Sequence, residues 1–185
     1  MIQTLKGEKV ILRQPRYDDI LSYHYYASHS MVGPNAGWLP HENLDESKAA
    51  LKFLIIEKLT WAITTKDDVL IGTIGLYDLK LDKEKSCYIG FSLNYDFWNQ
   101  GIMTEALKLV LDYLLNQLKF NKIYASCYED NFRSQSLLKK FGFSKINERL
   151  EYQLIFEKEK MVYDYMIERG LLWKKNSNQN TILGK

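Results

Sequence analysis

Two cysteines, Cys87 and Cys127, are all that a chain of 185 residues carries, and their spacing matches no metal or redox motif. Each lies inside an apolar, strand-like run, so both read as free thiols of a core in a reduced compartment. A strong charge of one sign is also missing. Twenty-five Lys and Arg stand against 23 Asp and Glu, a formal net charge of +2, with no basic run. That balance excludes a dedicated nucleic-acid binder. No apolar run approaches the length of a membrane span, so no membrane partner is expected. The first six residues, Met1 to Lys6, hold no apolar core of a secretory signal. The expectation is a soluble, cytoplasmic protein. No His/Cys/Asp cluster has ligand spacing, so no metal is expected either.

What is present is globular. Hydrophobic residues make up 46% and charged residues 26%, which is enough apolar content for a core without disulfides. Aromatics reach 14%, led by 13 Tyr, and such residues fill cores or line clefts. The length fits one domain, expected over 1–173, with a polar, disordered tail over 174–185.

The pattern along the chain predicts a mixed fold. Residues 8–13 read as a strand. Pro15 and the acidic pair Asp18 and Asp19 open a helix to about residue 28. Gly33, Pro34, Gly37 and Pro40 make 30–40 a loop. Asn43 and Glu46 form a capping-box pattern for a helix through about Lys58. Strands at 61–64, 69–77 and 87–93 follow, with connections too short for crossovers, so they form an antiparallel meander. Residues 101–119 are the clearest helix. Met103, Ala106, Leu107, Val110, Leu111 and Leu114 fall on one face, and Glu105, Lys108 and Asp112 on a solvent face. A strand at 122–128, a helix at 132–141 stopped by Gly142, and a closing hairpin around 153–156 and 161–167 complete the chain. The strand–helix–strand unit forces one parallel pairing into a mostly antiparallel sheet, an α+β domain with helices on both faces.

Two stretches carry the chemistry. In Trp98-Asn99-Gln100-Gly101-Ile102-Met103-Thr104-Glu105-Ala106 a strand runs through a short polar linker into the strongest helix. A helix N-terminus offers unpaired N–H groups and partial positive charge, and a glycine lets an anion approach them. An ordinary strand-to-helix turn fits the same residues. Neither a Walker loop nor a Rossmann fingerprint is present, since the first needs Gly-Lys-Ser/Thr and the second three glycines. In Asn131-Phe132-Arg133-Ser134, Asn131 stands between a strand and a helix, where its amide caps the helix or holds a ligand amide. Ser134 lies one turn further in.

Together these stretches, with Tyr88-Ile89-Gly90-Phe91-Ser92-Leu93 before them and Gly142-Phe143 after them, resemble the GNAT N-acetyltransferase superfamily over roughly residues 8–168. Within it they resemble the branch of the RimJ/RimL-type ribosomal-protein N-acetyltransferases. The resemblance implies a GNAT-like sheet, acetyl-CoA as donor and a small-molecule or peptide amine as acceptor. It implies splayed fourth and fifth strands with the pantetheine arm between them. The residues it assigns to the cofactor are Phe91, Ser92, Leu93, Gln100, Gly101, Ile102, Met103, Thr104, Asn131, Phe132 and Ser134. Two positions depart from the pattern. The family's frequent Tyr, four residues before the Gly-Phe pair, is Leu138, and Ser134 then takes its place as proton donor to the leaving thiolate. The Glu that often precedes the Ile-Gly of the fourth strand is Tyr88, which stands at the catalytic position without a carboxylate.

An alkylamine with pKa near ~10 needs a base before it can attack, whereas an α-amine near ~8 is partly free at neutral pH. The missing carboxylate therefore favours an N-terminal α-amine as acceptor. Trp38 and His41, at the end of the 30–42 loop, are expected to line the acceptor cleft, with Tyr77 beside them. Other readings stay open: a CoA-binding sensor or partner-binding module without turnover, an acetyltransferase for a polyamine or antibiotic, and a nucleotide-binding protein of another fold. A homodimer is compatible with all of them.

Overall fold

The computed structural model describes residues 2–170, and the tail expected over 174–185 lies outside them. One eight-stranded sheet forms the frame, in the order β1 (Leu5–Lys6), β2 (Ile11–Arg13), β3 (Thr60–Thr64), β4 (Leu70–Lys80), β5 (Ser86–Leu93), β6 (Lys122–Tyr128), β8 (Lys158–Glu168), β7 (Ser144–Gln153). Every pairing is antiparallel except β5 with β6. The helical crossover from β5 to β6, through α4 (Ile102–Asp112), accounts for that exception. The α+β fold with helices on both faces is as expected.

Alternation along β3 separates the two faces. Trp61 and Ile63 point into the larger core with α4 (Ile102–Asp112) and α5 (Phe132–Lys140). Ala62 points into a smaller core beneath α1 (Ile20–Ala27) and α3 (Leu44–Glu57). Trp61 is fully buried, and its indole N–H donates to the Gln3 carbonyl at 2.9 Å, which ties the N-terminal segment to the sheet. Asn43 caps α3 by accepting from the Asp45 and Glu46 amides at 3.0 Å, and Glu46 returns the bond to the Glu42 amide at 2.8 Å.

Four elements differ from the sequence expectation. Residues 30–40 contain a short helix, α2 (Gly33–Ala36), ended by Gly37 at φ 93°. The expected helix 101–119 changes pitch: after Asp112 it continues as a π-turn over Tyr113–Gln117, closed by the Leu118 amide on the Tyr113 carbonyl at 2.9 Å. Glu105 does not face bulk water, because its carboxylate accepts the backbone N–H groups of Glu8 and Lys9 in the β1–β2 turn. The closing hairpin begins at Ser144, and Leu154–Phe156 is its 3-10 turn, not its first strand. β7 is exposed along nearly its whole length, so it carries no buried-face alternation to read.

Candidate active site

The parallel pairing of β5 and β6 is short. Ser86, Cys87 and Tyr88 pair with Lys122, Ile123 and Tyr124, and the register stops there. Tyr88 and Tyr124 stack with ring centroids 5.0 Å apart at the last paired step. Beyond them the two strands part, leaving Ile89–Leu93 and Ala125–Tyr128 as facing, unpaired edges. Both following helices start at this opening.

The turn into α4 is built by left-handed residues and cross-bracing. Asn99 has φ 61° and Gly101 φ 75°, and alternation of this kind turns successive amides toward one side. The Gln100 side chain donates to the Asp96 carbonyl at 2.8 Å, and Lys9 Nζ donates to the Gln100 carbonyl at 2.9 Å. Trp98 donates its indole N–H to the Leu93 carbonyl at 2.8 Å, and Arg133 lies over its ring at 4.4 Å. At the N-cap, Gly101 supplies no side-chain bond. The contrast with α5 is decisive, since there Asn131 accepts from the Ser134 amide at 3.1 Å. Among the described residues no side chain caps the first-turn amides of α4, the arrangement at a helix start that favours an anion.

Two cavities meet at the splay. The first, of about 500 Å³, is lined by Phe91, Ser92, Leu93, Gly101, Ile102, Met103, Thr104, Asn131, Phe132 and Ser134, ten of the eleven residues expected to hold the cofactor. Arg133 and Lys140 also line it, and among the described residues no carboxylate does, so its lining is positively charged. Gln100 does not line it, since its side chain is spent on closing the loop. The second cavity, of about 260 Å³, opens over β6, β7 and β8 and is lined by Gly90, Tyr128, Arg149, Glu151 and Gln153 among others. Asn35, Ala36, Phe91, Asn131 and Ser134 line both cavities.

Ser134 thus sits at the junction. It is buried in the first turn of α5 and shares the wall of the second cavity with Cys127. Burial pushes the Cys127 thiol up to about 11, with Ser134 acting in the opposite direction, so Cys127 stays protonated and inert. Leu138, one turn on, is fully buried in the core and presents no polar group. Both ends of the Asn131 amide are engaged within the protein, one capping α5 and the other donating to the Asn35 carbonyl at 3.1 Å.

The residues expected on the acceptor side fall elsewhere. Trp38 packs under α2, where a Cβ on Gly33 would come within 2.8 Å of its Nε1. His41 Nδ1 lies 2.8 Å from the buried Ser47 hydroxyl, which it shares with His24 Nδ1 at 2.7 Å. Burial holds the His41 imidazole below its usual value. Neither lines either of these two cavities; the 30–42 segment contributes Asn35 and Ala36 instead. Tyr77 is half-exposed and packs over Gly90, a wall residue of the second cavity. Tyr88 lies behind the splay and lines neither cavity, and burial raises its phenol.

Sequence reasoning missed Arg133, Lys140 and the polar wall of the second cavity. Asp164 does not itself line the cavity but holds two of its wall residues, accepting from Ser126 at 2.7 Å and from Arg149 through both oxygens, and it accepts from Asn147 at 3.1 Å as well. Burial alone would raise Asp164, but these donors outweigh it and hold the carboxyl below its ordinary range. Arg133 stands inside the quoted motif and was legible as a cation there. Arg149 and Glu151 belong to β7, whose position the pattern did not give. Among the described residues no group of three His, Cys, Asp or Glu could hold a metal, and no helix is long and apolar enough to cross a membrane.

A splayed parallel pair, an uncapped helix start and a positively lined cavity between them make up the candidate site. Residues 9–144 match the family described as Acetyltransferase (GNAT) domain, and the chain belongs to that family. A Bacillus subtilis protein named "Probable N-acetyltransferase YjcK" is 39% identical over 82 residues, 44% of this chain and 45% of that one. The [Ribosomal protein uS5]-alanine N-acetyltransferase of Escherichia coli is 29% identical over 86 residues, 46% of this chain and 44% of that one. The chain spans less than half the length of these two curated relatives. Among solved structures, a GNAT-family acetyltransferase from Bacillus anthracis superposes with a TM-score of 0.80 at 20% identity, over 90% of this chain and 99% of that one.

Proposed function

We propose that the protein acetylates the α-amino group of a peptide or protein N terminus, in a ternary complex with acetyl-CoA, as a RimJ/RimL-type enzyme. The observation that carries this is the meeting of a positive, amide-lined cavity with a second, polar cavity at Ser134. The first fits the donor: free α4 amides for the diphosphate, Arg133 and Lys140 for phosphate charge, and unpaired β5 and β6 edges for an extended amide-bearing arm. The bound donor supplies an acetyl thioester to the junction.

The chain's own groups then act on the acceptor and the leaving group. The acceptor amine enters through the second cavity, where Glu151 is the carboxylate in its wall and takes up the amine proton. A β5 backbone N–H near Phe91 polarises the thioester carbonyl. The Ser134 hydroxyl gives its proton to the departing thiolate and recovers one from solvent. Asn131 reaches the pantetheine arm by exchanging its Asn35 contact. The likeness to the uS5-alanine enzyme supports an α-amine acceptor.

The test is release of free CoA thiol across peptides with free and blocked N termini, free lysine and spermidine. The proposal expects the free-N-terminus peptides to be turned over best. Preferred turnover of spermidine or lysine would replace the acceptor assignment. Binding of acetyl-CoA with no release on any acceptor would make the protein a sensor.

A further inference from the structure

The sheet ends at β7, and its outer edge pairs with no other strand among the described residues. This edge is ten residues long and partly apolar, with Ile146, Leu150 and Tyr152 about half-exposed. Natural sheets blunt such edges with charged side chains, prolines, bulges or short strands. β7 has no proline, and its charges alternate in sign: Lys145, Glu148, Arg149, Glu151. An edge of that kind repels nothing and complements itself.

The register of self-pairing is set by three features. A bulge between Lys145 and Asn147 interrupts one end, and the 3-10 turn from Leu154 interrupts the other. Residues 147–153 are the regular stretch between them, and Leu150 is its midpoint. Directly opposed residues of an antiparallel pair share a face, so a two-fold axis passes between like-numbered residues. An axis at Glu148, Arg149 or Glu151 would oppose like charges. An axis at Tyr152 would leave only 151–153 paired within the regular stretch.

We propose that two copies of this chain dimerise by antiparallel pairing of their β7 edges, centred on Leu150. Leu150 then faces Leu150 of the second copy, and Asn147 faces Gln153 at each end. Arg149 faces Glu151 of the second copy twice over. Within one chain Arg149 already contacts Glu151 at 3.1 Å, so the four side chains close an alternating ring of charge. The axis runs through the sheet, which keeps both second cavities on one face. Arg149, Glu151 and Gln153 line those cavities, so the seam runs between two acceptor sites. The pairing does not depend on which amine is acetylated.

Sedimentation velocity of the full chain tests it at micromolar concentration. The wild type is expected to sediment as a dimer. Leu150→Asp and Glu151→Lys each place like charges or a desolvated carboxylate at the seam, and each should weaken the dimer at least about tenfold while melting as the wild type does. Leu150→Cys should cross-link across the axis under mild oxidation, since Cys87 and Cys127 are buried. A monomeric wild type would overturn the proposal. So would a dimer that survives both charge substitutions, or one in which Leu150→Cys does not cross-link.

Discussion

Ser134 shows how much one side chain depends on its neighbours. Among the described residues it is the only hydroxyl that lines both cavities, and the Leu138 one turn later is sealed in the core. Ser134→Ala should therefore lower kcat about 100-fold, within the range of proton-transfer catalysis, with little change in the KM for acetyl-CoA. Steady-state kinetics at saturating acceptor checks this. His41 makes a different prediction. Its imidazole titrates lower in the folded chain than in the unfolded one, because burial disfavours the charged form. Below the ordinary histidine value the unfolded chain binds the proton first, so stability present above that value is lost as pH falls. Melting temperature should drop between pH 7 and 5.5, and His41→Gln should flatten that drop.

In the proposed function α4 holds the donor through an absence, a helix start with no side-chain cap. Gly101 at φ 75° holds that geometry, and a Cβ there costs about 1–2 kcal/mol of left-handed strain. Gly101→Ala should weaken CoA binding and melt lower, and calorimetry reads both. The β4–β5 pair imposes a second constraint. A Cβ on Gly72 would come within 2.5 Å of the Ser92 carbonyl oxygen, so Gly72→Ala must shift the β5 edge that faces the first cavity. That overpacking should cost about 1–3 kcal/mol and raise the KM for acetyl-CoA.

Elements with strong local signals were legible in the sequence. The Asn43 capping box, the β6 strand and the apolar stripe of α4 stand where the periodicity put them. The loop before α4 was legible too, because a glycine after a polar linker has few other uses. What the sequence hid depends on tertiary contacts. Lys9 reaches the Gln100 carbonyl from 91 positions away, and Glu105 is held by the β1–β2 turn. β7 has no buried face, so neither its start nor the cavity wall it builds showed a period. Trp38 and His41 are aromatic and near a loop, which suggested a ligand cleft, but they serve to fasten α2 and α3.

At the scale of the whole molecule, the sheet is a rigid frame with one deliberate fault, the parting of β5 and β6 after Tyr88 and Tyr124. Trp61 joins the frame to the N-terminal segment, and Trp61→Ala should cost about 3–5 kcal/mol in chemical denaturation without altering the fault itself. The proposed function rests on what the fault exposes: strand edges for an extended arm and, beside them, the start of α4 with no side-chain cap. Titration calorimetry comparing CoA with pantetheine, which lacks the diphosphate, tests that claim most directly. The account predicts that CoA binds at least about 100-fold more tightly than pantetheine, a difference of roughly 2.7 kcal/mol. Equal affinity for the two, or no heat from CoA, would contradict it.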